Sequence, residues 1–408
     1  PGVETAGVRA AVVAILLTLL QACSSAPERQ PVPEEYLSRV SIPGIPGARV
    51  SVAQLNSLAR RNPEHLYKKI QDRGSRQADA AVTYPDFLAI SGGGAEGAFT
   101  AGLLTGWTAS GSRPEFQVVS GISTGALIAP FVFLGPEYDH VIKTLYTTTD
   151  TDKLLDTLGL FKIRRKAALT DTAPLRAIIA SAIEEEFLRK VAEEHHSGRR
   201  LIIGTTNLDS QTPVVWNMGA IAASGQAHAT QLFQDVMLAS ASIPGVFPPV
   251  LINVEANGQT FDEMHVDGGV SKQVFAYPPG LNISAFTRKL GMEHKLNLYL
   301  IRNSKILPEH APVELKLVEI AAVSASLLIK SQGNSNITET YEATQRDGVN
   351  FHLAYIPNTF QEEPREAFDA EYMKKLFDLS HELAKDGYPW EQKTPWFDRV
   401  SLEKLETP

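Results

Sequence analysis

The pentapeptide Gly121-Ile122-Ser123-Thr124-Gly125 constrains the fold of this chain more than any other stretch. It joins the apolar run Phe116–Ser120 to a small-residue helical stretch beginning at Thr124. Glycines on either side of a serine at such a junction permit a sharp strand-to-helix turn, which lifts the Ser123 hydroxyl above the end of a sheet. G-x-S-x-G turns up by chance in roughly one chain in seven of this length. The strand before it and the helix after it therefore carry the argument. A serine hydroxyl is a poor nucleophile unless a base adjoins it, so an elbow of this kind calls for a partner elsewhere in the chain.

A second glycine-rich junction lies upstream. Phe87-Leu88-Ala89-Ile90 reads as a buried strand, 97–109 as a helix, and Ser91-Gly92-Gly93-Gly94-Ala95-Glu96-Gly97 connects them. Backbone N–H groups converging at a helix N-terminus can hold a phosphate or a developing oxyanion. Gly92, Gly94 and Gly97 also fit the dinucleotide fingerprint G-x-G-x-x-G, but no acidic residue ends a second strand where a ribose ligand belongs. Tight strand–helix packing is the plainest use of such a turn.

The partner of Ser123 is not an obvious histidine. The chain has ten, at 65, 140, 195, 196, 228, 265, 294, 310, 352 and 381, and none sits in a glycine-rich loop that would present a base. Asp267, in His265-Val266-Asp267-Gly268-Gly269, is apolar-flanked and followed by two glycines, as at a strand end where the chain turns closely beneath a ligand. A simple Asp-Gly-Gly turn is the alternative.

Ser-Gly-Gly-Gly-x-x-Gly, then Gly-x-Ser-x-Gly, then Asp-Gly-Gly, in that order along the chain, resemble the patatin-like phospholipase family. Ala98–Leu104 and Ser240–Pro249 resemble it too, and the resemblance covers about 86–356. It implies an α/β fold with a central mixed or parallel sheet flanked by helices on both faces. It implies further a lipid acyl hydrolase acting on phospholipids, galactolipids or simpler esters, without cofactor or metal. Ser123 would be the nucleophile and Asp267 the proton acceptor of a dyad that uses no histidine. Gly92, Gly93 and Gly94 would form the oxyanion hole, with Gly97, Gly121, Gly125, Gly268 and Gly269 as motif glycines. The family commonly has Lys or Arg where this chain has Glu96, which removes a cation near the developing oxyanion. Two other functions compete with this one: a lipid-binding lipoprotein that keeps the fold without turnover, and a triad esterase. The second lacks the late histidine loop it needs.

The N-terminus speaks to location. Residues 10–20 are apolar and too short to span about 30 Å of hydrocarbon as a helix, but they suit the h-region of a signal peptide. Leu20-Gln21-Ala22-Cys23 resembles the lipobox of bacterial lipoproteins, which implies cleavage after residue 22 and acylation of Cys23. Ser24 at the next position resembles lipoproteins sorted to the outer membrane. Acyl chains rather than charge would hold the protein there, because residues 1–22 carry one charge of each sign (Glu4 and Arg9) and their loss leaves the net charge at −8. The expected organisation is a signal segment over 1–22, a polar tether over 23–50, a helical extension over 51–85, the catalytic domain over 86–360 and a C-terminal helical extension over 361–408.

Composition narrows the alternatives. A 43% hydrophobic and 21% charged chain of 408 residues is globular, with room for one large α/β domain. The net negative charge argues against a nucleic-acid partner. One cysteine excludes a disulfide framework and any multi-cysteine metal site. Lys162, Arg164, Arg165 and Lys166 read as a solvated helix end, and Tyr388–Phe397 as an aromatic segment docked on the domain. Further strands are expected at Leu201–Thr205, Val214–Asn217, Leu296–Ile301 and Phe351–Ile356, with helices near 174–194, 228–241, 312–331 and 369–385. The sequence sets neither an oligomeric state nor the headgroup and acyl length of a substrate.

Overall fold

The structure, a computed structural model, describes residues 29–52, 54–55, 86–151, 156–157, 170–277, 282–283, 296–310 and 312–396. The signal segment expected over 1–22, Cys23, the basic cluster at 162–166 and most of the extension expected over 51–85 lie outside these residues.

A mixed sheet organises the chain. Its strands are β1 (Arg49–Ser51), β2 (Asp86–Ile90), β3 (Phe116–Ile122), β4 (Arg200–Asn207), β5 (Thr212–Asn217), β6 (Val250–Ala256), β7 (Gln259–Asp267), β8 (Asn297–Arg302) and β9 (Asn350–Tyr355). Five run parallel in the order β4-β3-β2-β8-β9. β5 and β1 extend the β4 edge antiparallel, and β7 pairs antiparallel with both β4 and β6.

Parallel strands joined by helices must bury both faces, and the side chains alternate accordingly. Leu88, Ile90, Ile301 and Ala354 point into one apolar cluster, while Ala89, Leu298, Leu300, Phe351 and Leu353 point into another. The helices are α1 (Gly97–Ala109), α2 (Thr124–Leu134), α3 (Asp139–Thr148), α4 (Ala173–Ala182), α5 (Glu185–His196), α6 (Met218–Ala222), α7 (Ala229–Ser240), α8 (Leu317–Asp347) and α9 (Ala370–Ala384).

Three expectations change. The helix anticipated over 174–194 is two, because Ile183 and Glu184 leave helical backbone and Ile183 turns fully inward. The helix anticipated over 312–331 runs on to Asp347, where left-handed Gly348 ends it. The β6–β7 hairpin was not anticipated at all. Its two-residue turn is Asn257-Gly258, both at positive φ (51° and 74°), as a turn that matches strand twist requires.

α9 lies against α1, where Gly102 and Gly106 let the Phe377 and His381 carbonyls approach. The aromatic segment docks beside it: Trp390 packs on Trp107 and Tyr299, and Tyr388 on Phe99. The first half of α8 exposes Leu317, Ile320, Val323, Leu327 and Leu328. Among the described residues, no helix is long and apolar enough to cross a membrane.

Candidate active site

Strand register brings the serine and the aspartate together. β3 pairs with β4 up to Ile122 opposite Gly204, and β7 takes over at the next residue of β4, with Asp267 opposite Thr205. Ser123 leaves the end of β3 just where Asp267 ends β7, so one strand serves both as a ruler.

The elbow is strained as its role demands. Ser123 adopts φ 56° and ψ −122°, a region in which a residue with a side chain costs about 1–3 kcal/mol. The surroundings over-determine it. A Cβ on Gly121 would strike the Gly125 carbonyl, and one on Gly125 would strike the Ile90 carbonyl. The Ser123 N–H donates to Ser240 Oγ (3.0 Å), whose hydroxyl donates to the Gly204 carbonyl (2.7 Å).

Asp267 is only 5% exposed. Oδ1 accepts the Gly269 N–H at 2.7 Å, and Oδ2 is buried without a hydrogen-bond partner. Burial pushes the carboxyl up to about 7, against the Ser123 side chain and the Gly269 N–H, which draw it down. The Ser123 hydroxyl thus lies close enough to act on the Asp267 carboxyl as a hydrogen-bonding neighbour.

The glycine loop faces this pair, with Gly92 packed against the Ser123 Cβ. Its N–H groups are not equivalent. Gly92 N–H donates to the Gln273 carbonyl (3.1 Å), and no hydrogen bond engages the N–H of Gly93 or Gly94. Behind the loop, Asn303 clamps Ser91 and Thr100. Its N–H donates to Ser91 Oγ (2.9 Å), its Nδ2 to the Ser91 carbonyl (3.0 Å), and its Oδ1 accepts Thr100 Oγ1 (2.6 Å).

Glu96 does not leave the loop without a cation. Arg302, at the end of β8 and 2% exposed, donates through Nη1 to Gln273 Oε1 (3.1 Å) and at 3.4 Å to the Gly92 carbonyl. Burial pushes the half-buried Glu96 carboxyl up to about 7; Arg302, Lys305 and Lys330 pull it down, and Glu309 opposes them. Burial likewise lowers the Arg302 guanidinium to about 10, with Glu96 opposing.

An apolar cavity opens from Ser123. Leu127, Leu145, Leu175, Phe247, Phe368 and Met373 line it, with Ile243 at 36% exposure on its rim. Residues of the Ser240–Pro249 segment thus border the site. Among the described residues no histidine lines the cavity, and no group of His, Cys, Asp and Glu could hold a metal. His265 is occupied elsewhere, its ring between Thr205 Oγ1 (2.9 Å) and Glu263 Oε2 (3.1 Å).

Fold and site together describe an α/β protein with a strained serine at a strand-to-helix turn and a buried aspartate beside it. Residues 88–278 match the family model of the patatin-like phospholipases. The crystal structure of VipD from Legionella pneumophila is among the similar solved structures, with 14% identity over 74% of this chain and 67% of that one and a TM-score of 0.37. No curated protein matches the chain.

Sequence reasoning missed Ser240, Gln273, Arg302 and Asn303. Each acts through long-range contacts between segments far apart in the chain, which no local pattern announces.

Proposed function

We propose that the protein is a lipid acyl hydrolase that cleaves carboxylic ester bonds through Ser123 and Asp267. As Ser123 Oγ attacks the ester carbonyl, Asp267 takes its proton. The oxyanion accepts hydrogen bonds from Gly93 and Gly94 N–H, each such donor being worth about 2.7–4 kcal/mol of barrier. Gly92, whose N–H is already committed, shapes the loop. Protonated Asp267 then gives its proton to the leaving alcohol, and an acyl group remains on Ser123. Asp267 deprotonates an incoming water as it attacks the acyl carbon, then returns the proton to Ser123 Oγ as the acyl–oxygen bond breaks and the acid leaves. The apolar cavity holds the acyl chain throughout.

One observation carries this reading: the unpartnered, buried Asp267 Oδ2 beside an elbow serine. Reaction with a fluorophosphonate, the adduct mapped by mass spectrometry, tests it without any choice of substrate. A stoichiometric adduct on Ser123, lost in Asp267→Asn and kept in each histidine variant, is the expected result. No adduct on a folded protein would sink the hydrolase and leave a lipid-binding lipoprotein. Acylation of Cys23 and attachment to the outer membrane belong to the same proposal, supported by the lipobox-like Leu20–Cys23. Incorporation of a labelled fatty acid into cells, abolished by Cys23→Ser, checks it.

A further inference from the structure

The two halves of the site meet on one residue. Gln273 accepts the Gly92 N–H on its backbone carbonyl, donates from Nε2 to the Gly269 carbonyl (2.7 Å) and accepts Arg302 Nη1 on Oε1. Gly269 is also the residue whose N–H holds Asp267 Oδ1. The glycine loop and the aspartate turn, far apart in sequence, are therefore tied through this one glutamine, which is 5% exposed. Its own N–H donates to Asn336 Oδ1 (2.9 Å). Arg302 settles which way the amide points: a guanidinium has only donors, so it must face Oε1 and leave Nε2 for Gly269. The guanidinium is held in place on its far side by Gly333 of α8, where any Cβ would collide with it at 2.7–3.0 Å. Its Nε is buried without a partner. A cation kept there, with burial lowering it to about 10, is not what packing alone would select.

We infer that Gln273 and Arg302 are positioning residues for the reaction, Gln273 setting the oxyanion loop in register with the Asp267 turn and Arg302 acting through the Gln273 amide. The inference rests on the assignment of Ser123 and Asp267 as nucleophile and base. Arg302 thereby restores a cation next to the loop from a different strand, where the Glu96 position no longer offers one.

The test uses the folded protein without its signal segment, with p-nitrophenyl butyrate turnover and the rate of fluorophosphonate labelling at Ser123 read side by side. Arg302→Lys keeps the charge and loses the planar fork; Gln273→Glu keeps Oε1 and loses the donor to Gly269. Each is expected to lower kcat and the labelling rate by about 10- to 100-fold with KM within about two-fold, as displaced reacting groups do. The double variant Gln273→Leu with Arg302→Met is expected to lose less than the product of the two single losses, because the two side chains share the Nη1–Oε1 hydrogen bond. Gly333→Ala removes no member of the network and places a better helix former in α8. It is expected to slow labelling by shifting the guanidinium, and it decides the matter if a network variant does not fold. Full labelling rates in Gly333→Ala and Arg302→Lys, a rise in KM at constant kcat, or losses that multiply in the double variant would each overturn the inference. Wild-type protein that takes no label, or a Ser123→Ala variant that still turns over, overturns the underlying assignment instead.

Discussion

Asp267 is an ionisable group in a place that disfavours its ionised form, and both the activity and the stability of the protein should register this. The carboxylate is needed as base, so kcat/KM should rise with pH through about 7 as a single acidic limb. Glu96 also sits near 7, and Glu96→Gln separates the two: the limb persists if Asp267 sets it and disappears if Glu96 does. For stability the sign is opposite. A folded pKa of about 7 against an unfolded 3.8 means that the folded state holds the extra proton. The stabilisation is complete below pH 3.8 and is lost as pH rises through about 7. Asp267→Asn should therefore abolish turnover yet raise unfolding free energy at pH 8 by up to about 4 kcal/mol, measured by urea titration. An unchanged or lower stability at pH 8 would show that the buried charge is relieved by a group other than Ser123 and Gly269.

Elements differ in how plainly the sequence announces them. Strands β2 and β3 were legible because each is an apolar run closed by a glycine turn, and their helices because small residues follow at once. The α/β class, Ser123 and the glycine loop are legible in that local grammar, whereas Asp267 stands out only through the resemblance carried by the three motifs in order. The β6–β7 hairpin was overlooked although Asn257-Gly258 marks it and β6 alternates strictly between buried and exposed side chains. What local pattern cannot supply is who packs on whom, and α9 is the case in point. It brings Met373, with nearby Phe368, to the far wall of the cavity. Met373→Trp should cut turnover of long-chain p-nitrophenyl esters at least about tenfold while sparing the butyrate, since an added ring fills acyl space. Equal losses on both chain lengths would place Met373 away from the acyl path. Gly102→Val, which forces a side chain against the Phe377 carbonyl and Ser380, should cost about 3 kcal/mol in urea titration.

Across the whole molecule, the site depends on chain well outside its motifs. β1 pairs with β5 at the sheet edge, and Arg49 on β1 reaches Glu263 on β7, two residues before His265 in the strand that ends at Asp267. Glu263 is 1% exposed. Burial raises its pKa, but the His265 hydrogen bond and the Arg49 charge outweigh that and hold it below the usual value. Arg49→Met strands that charge and should destabilise the protein by about 3–5 kcal/mol at pH 7, with the deficit shrinking as pH falls and Glu263 protonates. A pH-independent loss would point to packing instead. On the other side, β8 supplies Arg302 and Asn303, and the C-terminal segment supplies the cavity wall. The matched segment 88–278 includes Ser123, Asp267 and Gly92–Gly94 but not Arg49, Arg302, Asn303 or Met373. A chimera built by transplanting 88–278 into a foreign scaffold would inherit Ser123, Asp267 and the Gln273 amide and leave behind the Arg302 guanidinium and the Asn303 clamp on Ser91 and Thr100. Portability here is thus a property of the sheet as a whole, and any gene trimmed to its recognisable borders should yield a protein that carries every motif and does no work.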